Sequence, residues 1–324
     1  MNRRTAWYLI CACVMSCAVL NGCFGGKVQA IRSESLQRAE TALIRGVRAE
    51  QKGNYPEAAA LLTEALTFST SIDDIPGRIT ALINLARLNR LQHDPQRAEQ
   101  HIDRALELIA GDSSLFAEAA HEKALIELSK GQPIQALVWA RKSVDTESGD
   151  QRGSRLNLAS RINLELGNRA AADALARRAL LENRSSAHAE EEANSLRIMG
   201  IVARFAANYA EGERLLLEAL SIDKQIGRSG KIAVDLEELA VISQDTGNLK
   251  QAARYLERAG DVHGAAGRSQ QAVKTLESCA ELYARLGDAV KAGEAREKAG
   301  HFAVKDEPQK PQNSSATTRP SSNP

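Results

Sequence analysis

One short segment of this chain combines side chains that bind metals in other proteins. It reads His188-Ala189-Glu190-Glu191-Glu192, so an imidazole stands beside three carboxylates. A helical zinc site needs two histidines one turn apart on the same face, and this segment holds one histidine at the start of an expected helix. We interpret it as a solvated acidic helix face and predict no metal site.

A second segment, Gly227-Arg228-Ser229-Gly230-Lys231, has the composition of a phosphate-binding loop. Such a loop also needs an earlier glycine at a fixed spacing, a hydroxyl residue after the lysine and a preceding strand. The sequence lacks these features. We therefore interpret the segment as a connection between helices and predict no cofactor.

The histidines are scattered along the chain rather than grouped. They are His93, His101, His121, His188, His263 and His301. No nucleophile, base and acid can be combined from their spacing, and catalysis has to be argued from such a grouping. No catalytic residue is predicted, and we expect that the protein is not an enzyme.

The N-terminus has the pattern of a secretory signal. Arg3 and Arg4 precede an apolar run over residues 6–20, which is too short for a lasting transmembrane helix. The segment that follows, Leu20-Asn21-Gly22-Cys23, resembles the bacterial lipobox. The resemblance implies that Cys23 is acylated and becomes the first mature residue, and several acyl chains would anchor the protein stably. An ordinary signal peptide with a chance cysteine is the alternative.

The residue after Cys23 bears on which membrane holds the anchor. In well-studied lipoproteins an aspartate at this position retains the protein at the inner membrane, and this chain has Phe24. We therefore expect a lipid-anchored protein on the periplasmic face of the bacterial outer membrane, with the inner membrane as the alternative.

Charge and composition exclude some classes of partner. Removal of residues 1–22 takes away two arginines and leaves 40 basic side chains against 41 acidic ones, so there is no basic excess for nucleic acid. Only 4% of the residues are aromatic, which favours closely packed alanine and leucine helices over a deep ligand pocket.

Cys279 is the cysteine that remains beside Cys23 after the predicted signal. Cys11, Cys13 and Cys17 belong to the signal, so no disulfide framework is expected within one mature chain. Cys279 occupies a slot that holds apolar residues in neighbouring repeats, and we predict a buried small hydrophobic residue there.

A repeat of 36 to 40 residues organises most of the chain. Its turn positions are Gly53, His93, Gly131, Gly167, Ala207, Gly247 and Gly287. Each turn residue has a small residue seven positions before it, five after it and twelve after it; around Gly53 these are Gly46, Ala58 and Ala65. Apolar residues lie between them at helical spacing, so the pattern predicts stacked helical hairpins rather than one closed core.

This repeat resembles the tetratricopeptide repeat family, and residues 53–58 (GNYPEA) read like that family's central turn. The resemblance covers residues 35–304 and implies an all-α, right-handed α-solenoid of about seven hairpins. The family's usual unit has about 34 residues. The extra residues must lengthen helices or loops, and residues 72–77, 111–114 and 227–230 carry the glycine, proline, aspartate and serine of loops between hairpins.

Four segments are therefore expected. Residues 1–22 form the signal peptide, residues 23–34 the lipidated cysteine and its tether, and residues 35–304 the superhelix. Residues 305–324 are rich in proline and serine without an apolar period, so we expect a disordered tail.

The family resemblance also implies a binding surface, because the first helix of each hairpin lines a concave groove in the family. Carried onto this sequence, the register selects Asn84, Arg87, Arg90, Asn157, Arg161, Asn194, Arg197, Arg204, Glu237, Glu238 and Asp245. Asparagine amides suit a peptide backbone and arginines suit carboxylates. Ordinary solvated positions on helix faces are the alternative.

Together these observations predict a periplasmic lipoprotein that acts as a scaffold or adaptor in envelope assembly, secretion or pilus-type machinery. Its partner would be a protein or peptide in the concave groove, and it would contact the membrane through the lipid at Cys23. The alternative is a peptide-binding sensor or regulatory subunit whose superhelix changes pitch. The oligomeric state stays open.

Overall fold

The computed structural model describes residues 33–109 and 114–305, and within these ranges the chain consists of α helices and turns. The predicted signal peptide, Cys23, most of its tether and the C-terminal tail from residue 306 lie outside the described residues. No described helix has the length and hydrophobicity needed to span a membrane.

Fourteen helices are described, and consecutive pairs form seven hairpins. In chain order they are α1 (Glu34–Gln51), α2 (Tyr55–Ser71), α3 (Ile75–Leu91), α4 (Pro95–Leu108), α5 (Ser114–Ser129), α6 (Pro133–Thr146), α7 (Arg152–Glu165), α8 (Arg169–Ser185), α9 (Ala189–Phe205), α10 (Tyr209–Gln225), α11 (Ser229–Asp245), α12 (Leu249–Ala265), α13 (Ser269–Arg285) and α14 (Ala289–Lys305).

Local sequence accounts for many helix starts. The side chains of Asn54, Asp74 and Asp94 each accept a hydrogen bond from the backbone N–H three residues later. This satisfies one of the donors that a helix N-terminus leaves unpaired. Four helices also carry proline at the first or second position, where the missing N–H costs nothing.

The seven predicted turn positions all have a positive φ angle. Five of them are glycine, which adopts this left-handed conformation without strain, whereas His93 (φ 61°) and Ala207 (φ 58°) adopt it with a Cβ atom. Residues between hairpins, such as Gly227 and Gly267, do the same, so a left-handed residue recurs every 20 positions from Gly167 to Gly287. Most described turns within and between hairpins therefore share this left-handed residue, and the turn at residues 147–151 is an exception.

The extra length of the repeat lies in its helices. Most helices have 17 residues, and the shorter units contain the helices α4, α6 and α7 with 14. The expectation of loops over residues 72–77 and 227–230 is wrong for their second halves: α3 begins at Ile75 and α11 at Ser229. Asp74 caps α3 with its side chain, whereas Arg228 at the start of α11 makes no capping hydrogen bond.

The small residues lie where the helices cross. All twenty-one positions defined by the repeat are buried. At Gly200 and Gly212 an added Cβ would approach the carbonyl oxygen of the other glycine to 3.2 and 3.0 Å, so the two backbones are close together. Serines in this set, Ser143 and Ser160, each donate a 2.6 Å hydrogen bond to a carbonyl oxygen of a neighbouring helix.

The hairpins stack in order, so each packs mainly against the next. First helices of successive hairpins also contact each other: α1 contacts α3, α3 contacts α5, α7 contacts α9 and α9 contacts α11. They form one layer of the solenoid, called here the inner layer. Cys279 on α13 is fully buried and donates a weak hydrogen bond to the carbonyl oxygen of Ala253, which confirms the predicted buried residue.

Candidate functional site

The residues selected from the sequence lie on four first helices: α3, α7, α9 and α11. Side chains of the inner layer that face a neighbouring first helix form a series of cross-helix contacts. A selected residue is available to a partner only if its side chain is not already paired with a neighbouring helix.

On α3 both selected arginines are paired with α5. Arg87 donates to Glu118 at 2.7 Å and Arg90 donates to Glu122 at 2.5 Å. Glu122 is almost fully buried, and burial raises its pKa although Arg90 opposes this. Asn84 is buried and donates to a backbone carbonyl of its own helix. The two arginines join α3 to α5, and none of the three groups offers much to a ligand.

Arg197 on α9 is buried between two fully buried carboxylates. It donates to Asp235 on α11 at 2.7 Å and to Asp223 on α10. Burial raises the pKa of Asp235 to about 6 and also raises the pKa of Asp223. Asn194 accepts a hydrogen bond from Arg197 at 2.7 Å through Oδ1. Arg197 therefore holds three helices together.

Arg204 connects the basic and acidic parts of the predicted groove. It lies 3.4 Å from Asp245 and 3.9 Å from Glu238, both on α11. The guanidinium also lies 4.3 Å from the ring centre of Phe205. Glu237 accepts a 2.8 Å hydrogen bond from Thr275 on α13. The selected acidic residues are thus engaged with neighbouring helices as well.

A cleft of about 420 Å³ opens across α5, α7, α9 and α11. Four selected residues line it: Asn157, Arg161, Asn194 and Arg197. Its apolar side chains are Leu125, Leu158, Leu164, Ile198, Ile201 and Val234. This volume is typical of ligand sites, and the aliphatic side chains lie among polar and charged ones.

The two asparagines of the cleft differ in which side-chain hydrogen-bonding groups remain unpaired. Asn157 donates to the carbonyl and the carboxylate of Glu191, both at 2.8 Å, and accepts from Ser195. Asn194 uses Oδ1 for Arg197, and among the described residues its Nδ2 has no acceptor. Asn194 is therefore the asparagine that can donate to a bound backbone.

Arg161 and Lys231 are the cations of the cleft that have no ion-pair partner among the described residues. Burial lowers the pKa of both groups. The charge of Arg197 acts in the same direction on Lys231, whereas the charge of Glu165 opposes the effect of burial on Arg161 more than Arg90 adds to it. Arg161 is exposed to water although protein surrounds it on several sides. Both cations are placed to meet an anion.

His121 on α5 completes this part of the cleft. Burial, followed by the charges of Arg155, Arg87 and Arg90, lowers its pKa well below the ordinary histidine range, so the ring is neutral near pH 7. Its Nδ1 is buried without a hydrogen-bond partner. It adds a neutral polar atom on the Arg161 side of the cleft.

Sequence reasoning selected Arg161 and Asn194 but missed Lys231 and His121. A signal for His121 was present, because it lies ten residues before Gly131, as Asn157 and Arg197 lie ten residues before their own turns. Lys231 was assigned to a loop, and the structure places it in the first turn of α11.

A second cleft of about 590 Å³ lies between α11, α12 and α13 and shares Val234 with the first. Glu237, His263 and Thr275 line it; His263 Nε2 lies 3.2 Å from Glu237 Oε1. Within residues 33–109 and 114–305, no group of three histidine, cysteine or acidic side chains is arranged to hold a metal ion.

Comparison with known proteins supports the repeat assignment. The sequence profile of the tetratricopeptide repeat family matches residues 36–110. No protein of curated function matches the sequence.

Solved structures match the fold over most of the chain. The apo form of RapI is 15% identical, with a TM-score of 0.64, and the match covers 83% of this chain and 77% of that one. A Rap protein complexed with competence and sporulation factor is 14% identical, with a TM-score of 0.62 and the same coverage. Pseudomonas aeruginosa pilF is 15% identical, with a TM-score of 0.55, and the match covers 72% of this chain and 95% of that one. At such identities the likeness concerns the fold.

Proposed function

We propose that this tetratricopeptide-repeat solenoid is a lipid-anchored adaptor that holds a segment of another protein in the cleft of its inner layer. The observation that carries the proposal is the cleft itself, where Arg161, Lys231 and the Nδ2 group of Asn194 have no partner among the described residues. Free donors between aliphatic walls are what a peptide segment needs, because its backbone and side chains must exchange water for new hydrogen bonds.

A binding role fits the chemistry of the cleft better than catalysis. Its polar lining consists mainly of cations, carboxylates and amides, which orient a ligand. The hydroxyl in the lining is that of Ser154, and His121 next to the cations is held neutral with its Nδ1 unpaired. Nucleophilic catalysis needs a hydroxyl or thiol activated by a base within hydrogen-bond distance.

The location belongs to the same proposal and is supported by the sequence. Arg3, Arg4 and the apolar run before Cys23 suit export, and acylation of Cys23 would tie the solenoid to the periplasmic face of the outer membrane. A tether of about ten residues allows a reach of at most roughly 35 Å, so partners would be envelope proteins near that membrane.

A regulatory role is the second candidate. The fold resembles that of a Rap protein solved in complex with competence and sporulation factor. An adaptor would keep its pitch when its partner binds, whereas a sensor would become more compact. X-ray scattering of the full chain in detergent, with and without the captured segment, separates the two.

The proposal is tested by site-specific photo-crosslinking in intact cells that produce the protein. A photoreactive residue replaces Ile201 in the cleft, and the control replaces Leu181, which is 71% exposed on α8. We expect one partner protein to be captured reproducibly from position 201 and not from position 181. Capture from Leu181 alone would place the interface on the second helices and refute the cleft.

The anchor is tested in the same cells with Cys23→Ala. We expect the variant to leave the membrane fraction and to lose crosslinks to membrane-bound partners. A Cys23→Ala variant that stays in the membrane fraction in detergent-free extracts would overturn the lipid anchor without affecting the cleft.

A further inference from the structure

Two positive charges of the cleft lack the counter-ion that its other cation has. Arg197 lies between Asp223 and Asp235, and Glu190 of the lining is paired with Arg228. Among the described residues, no carboxylate lies within ion-pair distance of Arg161 or Lys231.

This arrangement leaves two partly desolvated cations without an ion-pair contact. Burial is the main reason why their pKa values are lowered; repulsion by Arg197 adds to this at Lys231, whereas at Arg161 the charge of Glu165 acts against it. An anion between them would restore a counter-charge and accept several charge-assisted hydrogen bonds. The cleft is therefore complementary to negative charge.

We infer that the cleft seats the carboxylate of an aspartate or glutamate side chain of the partner protein between Arg161 and Lys231. The inference rests on the proposed function and names the side chain by which the partner is recognised. Asn194 Nδ2 can donate to a carbonyl of the partner's backbone beside that side chain.

The lining favours a peptide acid over a nucleic acid or another polyanion. Leu125, Leu158, Ile198, Ile201 and Val234 flank the cations and suit apolar neighbours of the acidic residue. The cleft has two unpaired cations, and the chain after the predicted signal has no excess of basic residues with which to bind a phosphate backbone. Because Glu191 already supplies one negative charge that acts on both cations, a single further carboxylate balances them.

Glu191 gives the inference a distinguishing feature. It lines the same cleft, and its charge acts on both Arg161 and Lys231. Its carboxylate is not in ion-pair contact with either cation and instead accepts a 2.8 Å hydrogen bond from Asn157. Glu191 partly neutralises the site and competes with a bound acid. Removing its charge should therefore strengthen binding.

The test uses the purified full chain in detergent and two matched arrays of 12-residue peptides. In one array an aspartate or glutamate is moved through a background of alanine, leucine and serine, and in the other the corresponding amides replace the acids. We expect binding to the acidic array and weaker or no binding to the amide array, with affinity that falls as salt is raised.

Three variants assign that binding to the cleft. Arg161→Gln/Lys231→Gln should weaken it about tenfold or more, because charge-assisted hydrogen bonds are lost. Glu191→Gln should tighten it by about two- to fivefold, since a competing charge is removed while an acceptor for Asn157 is kept. Arg178→Gln/Lys250→Gln, which removes two exposed cations from second helices, should leave it unchanged.

Equal binding to both arrays, or no binding to either, would overturn the acidic anchor. So would Glu191→Gln weakening the interaction as much as the double variant, since this would indicate a structural effect. Thermal melting of each variant checks folding.

Crosslinking from position 201 tests the proposed function independently. If wild type and Arg161→Gln/Lys231→Gln capture the partner equally, the adaptor function stands and the proposed binding of an acidic side chain is wrong.

Discussion

At the scale of single residues, the contacts of Arg197 show how the inner layer uses charge. One guanidinium serves two carboxylates, Asp223 and Asp235, and both are fully buried. Two buried negative charges beside one positive charge favour uptake of a proton, and burial raises the pKa of Asp235 to about 6. Asp223 Oδ1 has no hydrogen-bond partner, which agrees with a surplus of carboxylate.

This cluster should make stability depend on pH in an unusual direction. Because the folded pKa of Asp235 lies above its unfolded value, the folded state binds more protons, and the stabilisation present at low pH is lost as pH rises through about 6. Asp223→Asn removes the charge that raises the pKa of Asp235 in addition to burial, so it should weaken this dependence. We expect wild type to gain about 1 kcal/mol more stability than the variant from pH 7.5 to pH 5.

Urea unfolding at the two pH values measures the effect. Asp145→Asn, which neutralises an exposed carboxylate, serves as the control and should keep the pH dependence of wild type. If Asp223→Asn and wild type change in parallel between the two pH values, the proton-sharing interpretation of the cluster is wrong.

At the scale of the helix and its turn, the unit is a helix of mostly 17 residues followed by three residues. The left-handed residue in most of the described turns lets the chain reverse within that length, and several of the next helices, such as those after Asn54 and Asn248, start with a polar cap. Glycine fills most of these positions, and Ala207 fills one with φ 58°. A Cβ atom in this conformation crowds the following carbonyl.

Ala207→Gly should therefore stabilise the solenoid by about 0.5 to 1 kcal/mol, since the relief of strain exceeds the extra entropy of an unfolded glycine. The measurement is thermal or urea unfolding. Ala174→Gly, at an exposed position within α8, should instead destabilise by about 1 kcal/mol because it weakens a helix. A loss of stability with Ala207→Gly would contradict the turn geometry.

At the scale of the whole molecule, stability comes from contacts between neighbouring hairpins, and the inner layer adds ion pairs that connect first helices. Glu118 on α5 connects three hairpins, because it accepts from Arg87 on α3 and from Arg155 on α7. Such a connection sets the relative orientation of successive hairpins and hence the pitch of the superhelix.

Glu118→Gln should lower stability by about 1 to 3 kcal/mol, because Arg155 is buried and would lose a charged partner. It should also loosen the solenoid around α5 and α7, which X-ray scattering would detect as a larger radius of gyration. Glu107→Gln on α4, an exposed acid outside these contacts, is the matched control. Unchanged melting and scattering for Glu118→Gln would show that packing alone sets the pitch.

The sequence by itself determined the repeat, the positions of its turns and the residues at its helix crossings. Gly53 and Gly247 mark left-handed turns, and Gly200, Gly212 and Ala252 mark close approaches, because backbone conformation and side-chain size depend on the residue itself. These properties are local, so the fold and much of its core follow from residue types at a fixed spacing.

Only the tertiary structure decided which charged residues are free. Arg87, Arg90, Arg197 and Arg204 share a residue type with Arg161, yet each is paired with an acid 26 to 41 positions away. Such pairs form between different helices and most of them join different hairpins, so whether an acid lies within reach depends on how the helices stack. The same stacking brings Lys231 and His121 beside Arg161, because charge complementarity is a property of the assembled layer rather than of any one repeat.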